Sequence, residues 1–329
     1  MSPAGRPGAR TTLRPSGRRV TVAPVAPAEQ SVEPDDLEDR RSFWTDYQPG
    51  FRFTSEEIGT PEFFAAVEAN RYSLEPHIPE VACFEATRGL DVLEGGCGIA
   101  TDGLQFARAG ARYTGADFSA TALSLAQHRF ELEGAEGRFV RASLTELPFD
   151  DDSFDIVYSN GVVHHLPETA QVIREFHRVL RPGGRAAVMV YHRDSFNYRF
   201  TIMTLRRALV STLLLPGASR VVGAITGESP QLLDEHARLL RTHGLGYLRD
   251  RQLFLNHNTD GPGNPLAKVY SRGDALALFS GFAHVETEVR YLNLRLFPGG
   301  ERLAATALAR RLERRWGWHL WVRATKAGG

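Results

Sequence analysis

The chain has 329 residues, with Lys plus Arg and Asp plus Glu at 39 each and a formal net charge of zero at neutral pH. That balance supplies no global field to hold nucleic acid or an anionic membrane, and 42% hydrophobic with 24% charged residues is an ordinary globular composition. The two cysteines, Cys83 and Cys97, have no metal-ligand spacing and cannot build a disulfide framework, which suits a reduced cytoplasmic setting with no metal site.

Residues 1 to about 35 are rich in Pro, Gly, Ala and Arg, with five arginines and no acidic residue before Glu29. No continuous apolar core follows those arginines, so no secretory signal is expected. The stretch buries too little apolar surface to offset its ordering entropy and reads as a disordered, solvated tail. From Asp36 the pattern turns helical and aromatic, with Phe43, Trp44, Tyr47, Phe51 and Phe53 ahead of Thr60-Pro61-Glu62-Phe63-Phe64. Thr60 before Pro61 is a helix start with proline in the first turn. Residues 36–88 therefore read as a helical lid segment that packs over the following domain or covers its ligand edge. Tyr72, Glu75, Pro76 and His77 close it, with His77 a structural hydrogen-bonding residue.

Over residues 89–192 strand and helix patterns alternate. Residues 90–94 read as a first strand ending in a carboxylate, and the turn Gly95-Gly96-Cys97-Gly98 follows. Glycines at such a corner permit positive φ and let a ligand touch the backbone. That is how a nucleotide-type cofactor site is built at the carboxyl end of a first parallel strand, although tight strand-to-helix turns also use glycine for packing alone. A helix is predicted over Thr101–Arg108 and a strand over Arg112–Asp117, after which Ser119 caps a second helix through Phe130. Strands at 138–142 and 154–159 come next, the latter behind the turn Asp150-Asp151-Asp152-Ser153. Val172, Phe176, Val179 and Leu180 share one helix face, Arg181-Pro182-Gly183-Gly184 stops that helix, and residues 186–190 are strand five. Alternation at this spacing demands parallel strands with right-handed crossovers.

After Tyr191 the rhythm changes. Residues 193–265 read as a helical cap insertion over the active-site edge, closing on the polar run 256–265. The apolar stretch 208–227 within it is broken by Pro216 and Arg220 and does not suit a membrane span. Residues 266–329 complete the sheet with a helix near 272–279, a strand near 283–291, a helix carrying Arg310, Arg311, Arg314 and Arg315, and a last strand near 318–323.

These landmarks together resemble the class I S-adenosylmethionine-dependent methyltransferases, most closely the small-molecule branch with the "methyltransferase 11" pattern. The family's first motif, an acidic residue and G-x-G-x-G, is similar to Glu94-Gly95-Gly96-Cys97-Gly98-Ile99-Ala100. Asp117 matches the acid that ends strand two. Leu147-Pro148-Phe149-Asp150-Asp151, Asn160-Gly161-Val162-Val163-His164-His165 and Leu180-Arg181-Pro182-Gly183-Gly184 follow in the family's order. The resemblance covers residues 85–192 strongly and the final hairpin weakly. It implies an α/β fold, a Rossmann-like seven-stranded sheet flanked by helices, with the N-terminal helical segment and the cap insertion after strand five.

The resemblance also implies S-adenosyl-L-methionine as cofactor, held by Glu94, Gly95, Gly96, Gly98, Asp117, Phe118, Ser143, Leu144, Asn160 and Tyr72. Glu94 would face the positive amino and sulfonium end, Asp117 the paired ribose hydroxyls, and Asn160 and Tyr72 the methionine end. Two residues depart from the family. Ala100 replaces the third glycine and is tolerated only at negative φ. Ser143 replaces an aspartate that contacts the adenine amino group, leaving that affinity to Leu144 and the backbone. A nicotinamide dehydrogenase is disfavoured, because the last fingerprint glycine is absent.

Methyl transfer needs mainly alignment and a dry site, worth about 7–11 kcal/mol. A base matters only where the acceptor must lose a proton, and histidine suits that near neutral pH. His164 and His165 follow strand four, and His165 is the preferred catalytic or orienting residue. Tyr191 and His192 at the end of strand five compete for the role, as do His257 and Asp260. Zinc ligation by the histidine pair lacks further ligands at sensible spacing. The expected reaction is O- or N-methylation of a small, partly hydrophobic secondary metabolite, with neither nucleic acid nor membrane as partner and with room for a homodimer. Peptide methylation and a non-catalytic cofactor-binding regulator are the alternatives.

Overall fold

A computed structural model of the chain describes residues 54–261, 263–294 and 306–329. The tail 1–35 and the run Phe43, Trp44, Tyr47, Phe51 and Phe53 lie outside the described residues. Helices α1 (Pro61–Leu74) and α2 (Ile78–Ala82) lead into β1 (Asp91–Gly95), α3 (Thr101–Arg108), β2 (Arg112–Asp117), α4 (Ala120–Glu133) and β3 (Arg138–Arg141). Then come β4 (Phe154–Asn160), α5 (Thr169–Val179) and β5 (Leu180–His192). A π-helical stretch, Asn197–Arg206, opens a helical insertion of α6 (Arg207–Ser211), α7 (Ala218–Thr226), α8 (Pro230–His243), α9 (Leu245–Arg249) and α10 (Arg251–Thr259). The chain returns through β6 (Val269–Tyr270), α11 (Arg272–Leu278), β7 (His284–Arg290), α12 (Ala307–Trp316) and β8 (His319–Thr325).

The strands form one sheet in the order β3-β2-β1-β4-β5-β8-β7, with the two-residue β6 paired to the end of β5. Strands β1 to β5 run parallel, whereas β8 is antiparallel to both β5 and β7. Chain order reverses between β1 and β4, so their carboxyl ends open the crevice where ligands of open α/β sheets bind. Both sheet faces are buried, as parallel strands require. Val92, Tyr158, Met189 and Trp321 pack on one side with Leu104 and Phe106 of α3, while Leu93, Val157, Val188 and Leu320 pack on the other with Val172 and Phe176 of α5.

Local chemistry sets the helix ends. Thr60 accepts a hydrogen bond from the Phe63 amide and Ser119 from the Ala122 amide, and Gly134 closes α4 at φ +62°. Two expectations need correction. Strand five is longer than 186–190, because the chain bulges between its Leu180 and Arg185 pairings with β4 and then stays in register to the end. Gly184 meanwhile accepts the Lys326 amide at 2.9 Å, which holds the bulge to the segment after β8. Ala100 adopts φ +51° as the N-cap of α3, not the negative φ its methyl group favours. It occupies the left-handed position that glycine would take, at a cost of about 1–2 kcal/mol.

Helix α1 is fastened to the core by charge. Glu68 accepts from Arg108 at 2.9 Å and from the buried Arg129 at 2.6 Å, and Arg129 also donates to the Thr101 hydroxyl at 2.8 Å. The Arg129 guanidinium lies 5.4 Å over the Phe64 ring. Hydrogen bonds to charged groups contribute about 1.5–3 kcal/mol each, which fixes this segment over the first βα unit. The insertion carries its own buried polar network: His236 Nδ1 lies 2.8 Å from the Tyr247 hydroxyl, to which Asn258 donates at 3.0 Å.

Candidate active site

The turn after β1 is set by packing as well as by any ligand. Gly96 sits at φ +75°, and a Cβ there would lie 2.5 Å from the Val162 methyl groups. A Cβ on Gly95 would lie 2.8 Å from the Phe176 ring of α5. Gly98 follows at φ +52°, and its amide donates to Asp117 Oδ2 at 2.9 Å. The Ser119 amide donates to Asp117 Oδ1, also at 2.9 Å. Burial pushes the Asp117 carboxyl up, and these backbone donors act against it. The Phe118 amide is a further backbone donor, and a carboxylate with about four acceptor sites can still take a hydroxyl beside the glycine turn.

The structure places the other cofactor candidates as follows. Glu94 is buried beneath α3, where its Oε2 accepts the Tyr113 hydroxyl at 2.6 Å. Its carboxyl is pushed up by burial and then by the negative Asp102 nearby. Leu144 is buried within reach of Gly95, Ser143 is exposed and bonds Thr145 at 2.7 Å, and Phe118 is half-buried after Asp117. Asn160 ends β4 half-buried, donating to the Tyr158 hydroxyl at 3.2 Å.

Sequence reasoning missed the centre of this end of the site, Asp102. Its carboxylate is 2% exposed on the first turn of α3 and accepts from Arg71 Nε at 2.8 Å and Nη2 at 2.5 Å. Tyr72 and Tyr158 donate their hydroxyls to it at 3.0 and 2.8 Å. Burial would raise this carboxyl, but the Arg71 charge and the bonds from Arg71, Tyr158 and Tyr72 outweigh it and hold it below its ordinary value. A carboxylate in the first turn behind the glycines, where the helix dipole favours it, was the available signal. Tyr72 is therefore drawn toward the α3 start through Asp102.

At the carboxyl ends of β4 and β5 the structure unites residues that the sequence left as rivals. His165 Nδ1 lies 2.7 Å from the Leu266 carbonyl, and its Nε2 lies 3.5 Å from Asp260 Oδ2. Tyr191 donates its hydroxyl to Asp260 Oδ1 at 2.7 Å, and Asn264 donates to Oδ2 at 3.2 Å. A carbonyl only accepts, so Nδ1 carries the proton and Nε2 presents a lone pair in the neutral ring. Burial lowers the His165 pKa, opposed by the Asp260 charge and the Leu266 carbonyl. His164 is fully buried and packs its ring 3.8 Å from that of Tyr191, centroid to centroid; burial and then His165 hold it neutral. His192 lies apart, with Nδ1 3.0 Å from the Gly317 carbonyl, and His257 accepts the Gly263 amide at 2.9 Å. Among the described residues no cluster of His, Cys, Asp and Glu has a metal-binding arrangement.

Fold and site define an open α/β domain with a buried carboxylate, Asp117, bonded to the glycine turn at the end of β2. Residues 93–188 match the family described as a methyltransferase domain, and over this part the chain is similar to the class I S-adenosylmethionine-dependent methyltransferases. Similar proteins include Methyltransferase GfsG of Streptomyces halstedii, 41% identical over 107 residues that cover 32% of this chain and 38% of that one. Phthiotriol/phenolphthiotriol dimycocerosates methyltransferase of Mycobacterium leprae (strain TN) is 40% identical over 30% of this chain and 37% of its own. Ubiquinone biosynthesis O-methyltransferase of Albidiferax ferrireducens is 28% identical over 56% of this chain and 68% of its own. The chain thus spans well under half the length of the first two relatives. Among solved structures, magnesium protoporphyrin IX methyltransferase of Synechocystis PCC 6803 is similar at TM-score 0.49 and 14% identity, over 89% of this chain and 100% of that one. No helix among the described residues is long and apolar enough to cross a membrane.

Proposed function

We propose that the chain transfers a methyl group from S-adenosyl-L-methionine to an oxygen or nitrogen of a small, partly hydrophobic metabolite. The observation that carries this reading is the meeting, at one sheet edge, of the Asp117-braced glycine turn with the His165–Asp260–Tyr191 cluster. S-adenosylmethionine, when bound, supplies an electrophilic methyl carbon on sulfur. Asp117 would hold its ribose, Phe118, Ser143 and Leu144 its adenine, and Asn160 and the Tyr72–Asp102 side its amino-acid end. His165 Nε2 takes the acceptor's proton, and Asp260 Oδ2 offsets the imidazolium charge. Tyr191 and Asn264 hold that carboxylate in place. One similar protein is named for phthiotriol dimycocerosates and another for ubiquinone biosynthesis, which supports a small-molecule acceptor.

The test is incubation of the full chain with labelled cofactor and small-molecule extracts, scored for a gain of one methylene. With an acceptor in hand, His165→Ala lowers kcat about 10²–10⁴-fold if Nε2 takes the proton. The neutral ring is the active form and burial depresses its pKa, so the acid limb of kcat falls below pH ~6.5. Asp260→Asn removes the charge that raises that pKa and moves the limb lower still. Label in peptides alone would overturn the small-molecule reading. Cofactor binding without turnover on any acceptor would leave a regulator.

A further inference from the structure

The arginine-rich helix α12 takes no part in the site above. Its one acid, Glu313, is engaged by the Tyr291 amide at 2.9 Å. The exposed Arg311, Arg314 and Arg315 line an open groove of about 690 Å³ together with Arg272 and the end of β5 at His192. Arg272 is held in place by the Thr287 carbonyl at 2.9 Å and the Arg314 carbonyl at 3.1 Å. The neighbouring acids are committed elsewhere: Asp194 pairs with Arg199, and Asp274 pairs with Arg193 at 3.1 Å. Among the described residues, Arg272, Arg311, Arg314 and Arg315 have no carboxylate partner.

A second groove of about 480 Å³ joins the first through Asp194 and Arg315, and its wall is aromatic. Phe196 and Phe200 lie 5.0 Å apart, Trp316 lies under the Arg315 guanidinium at 5.7 Å, and Phe200 and Trp316 are 48% and 41% exposed. Neither His165 nor Asp260 lines either groove. His192 follows Tyr191 on β5 and projects to the opposite sheet face, the side of Val188 and Val190.

We propose that this composite groove binds an organic phosphate whose remaining part is planar or apolar. Several unpaired guanidinium forks suit the multiple charges and oxygen geometry of phosphate better than a single carboxylate. The exposed rings beside them offer stacking surface and a cation–π edge to the rest of the molecule. The patch is short and ends on aromatic rings and on Asp194, which does not suit a continuous nucleic-acid backbone.

Calorimetry on the full chain, with S-adenosylmethionine saturating so that its own site is filled, tests this with two probes. Coenzyme A carries phosphates, a planar base and a flexible arm; inorganic pyrophosphate carries phosphates alone. The expected result is saturable coenzyme A binding at least about tenfold tighter than pyrophosphate. Arg311→Glu with Arg314→Glu should weaken both about tenfold or more, at unchanged melting temperature. Trp316→Ala should weaken coenzyme A about threefold or more and leave pyrophosphate unchanged. Absence of saturable binding, or binding indifferent to the arginine pair, overturns the site. Equal affinity for the two probes overturns its aromatic half. A single-stranded oligonucleotide that binds through the same arginines and displaces coenzyme A assigns the groove to nucleic acid instead. None of these readouts depends on methyl transfer.

Discussion

Replacing Asp102 with asparagine tests whether the N-terminal helix is held over the site by one buried charge. The side chain keeps its shape and one acceptor oxygen but loses the charge that faces Arg71. Breaking a fully buried ion pair costs about 3–5 kcal/mol. Here the Asp102 side chain is 1% exposed but Arg71 is 27% exposed, so water compensates part of the loss. Tyr72 and Tyr158 still find one acceptor between them. The expected loss is therefore about 2–3 kcal/mol, a drop in melting temperature of about 4–12 °C. Urea unfolding followed by circular dichroism measures it. The pH dependence identifies its source. The Asp102 carboxyl is depressed in the folded protein, so its contribution is complete above the unfolded value near 3.9 and fades as pH falls through the lower folded value. The gap between native protein and variant must narrow in that acid range. A loss under about 0.5 kcal/mol, or a gap that stays constant with pH, would refute an electrostatic anchor.

Three further outcomes concern other parts of the fold. Asp117→Ala should weaken S-adenosylmethionine binding by about 1–3 kcal/mol, the scale of a charged hydrogen bond; unchanged affinity in calorimetry counts against the ribose role. Gly96→Ala should destabilise by about 2 kcal/mol or more, from its left-handed φ and the crowding of Val162. Adding Val162→Ala should recover part of that loss, and strict additivity would show that the crowding is immaterial. Burial holds His77, His236 and His319 at about 3. The unfolded chain binds protons first, so stability falls as pH drops below ~6.5, by about 1 kcal/mol per histidine between pH 7 and 5.5. A flat stability profile over that range would exclude neutral burial of all three.

The sequence by itself determined the βα alternation, because buried parallel strands and amphipathic crossover helices leave different periodicities. It also located the glycine turn, Asp117 and Asn160, since each follows directly from a strand end. Spacing could not choose among His164, His165, Tyr191, His192, His257 and Asp260. That choice depends on where the insertion returns to β5, which sets Asp260 between Tyr191 and His165. Asp102 was hidden for the same reason: a helix-start carboxylate is commonplace until Arg71, thirty-one positions earlier, folds onto it. Ala100 shows the converse, a local preference for negative φ overridden by the turn that the sheet and α3 impose. Local pattern carries the frame, because backbone geometry repeats over a few residues. Pairing between distant polar side chains exists only once tertiary packing has removed the water between them.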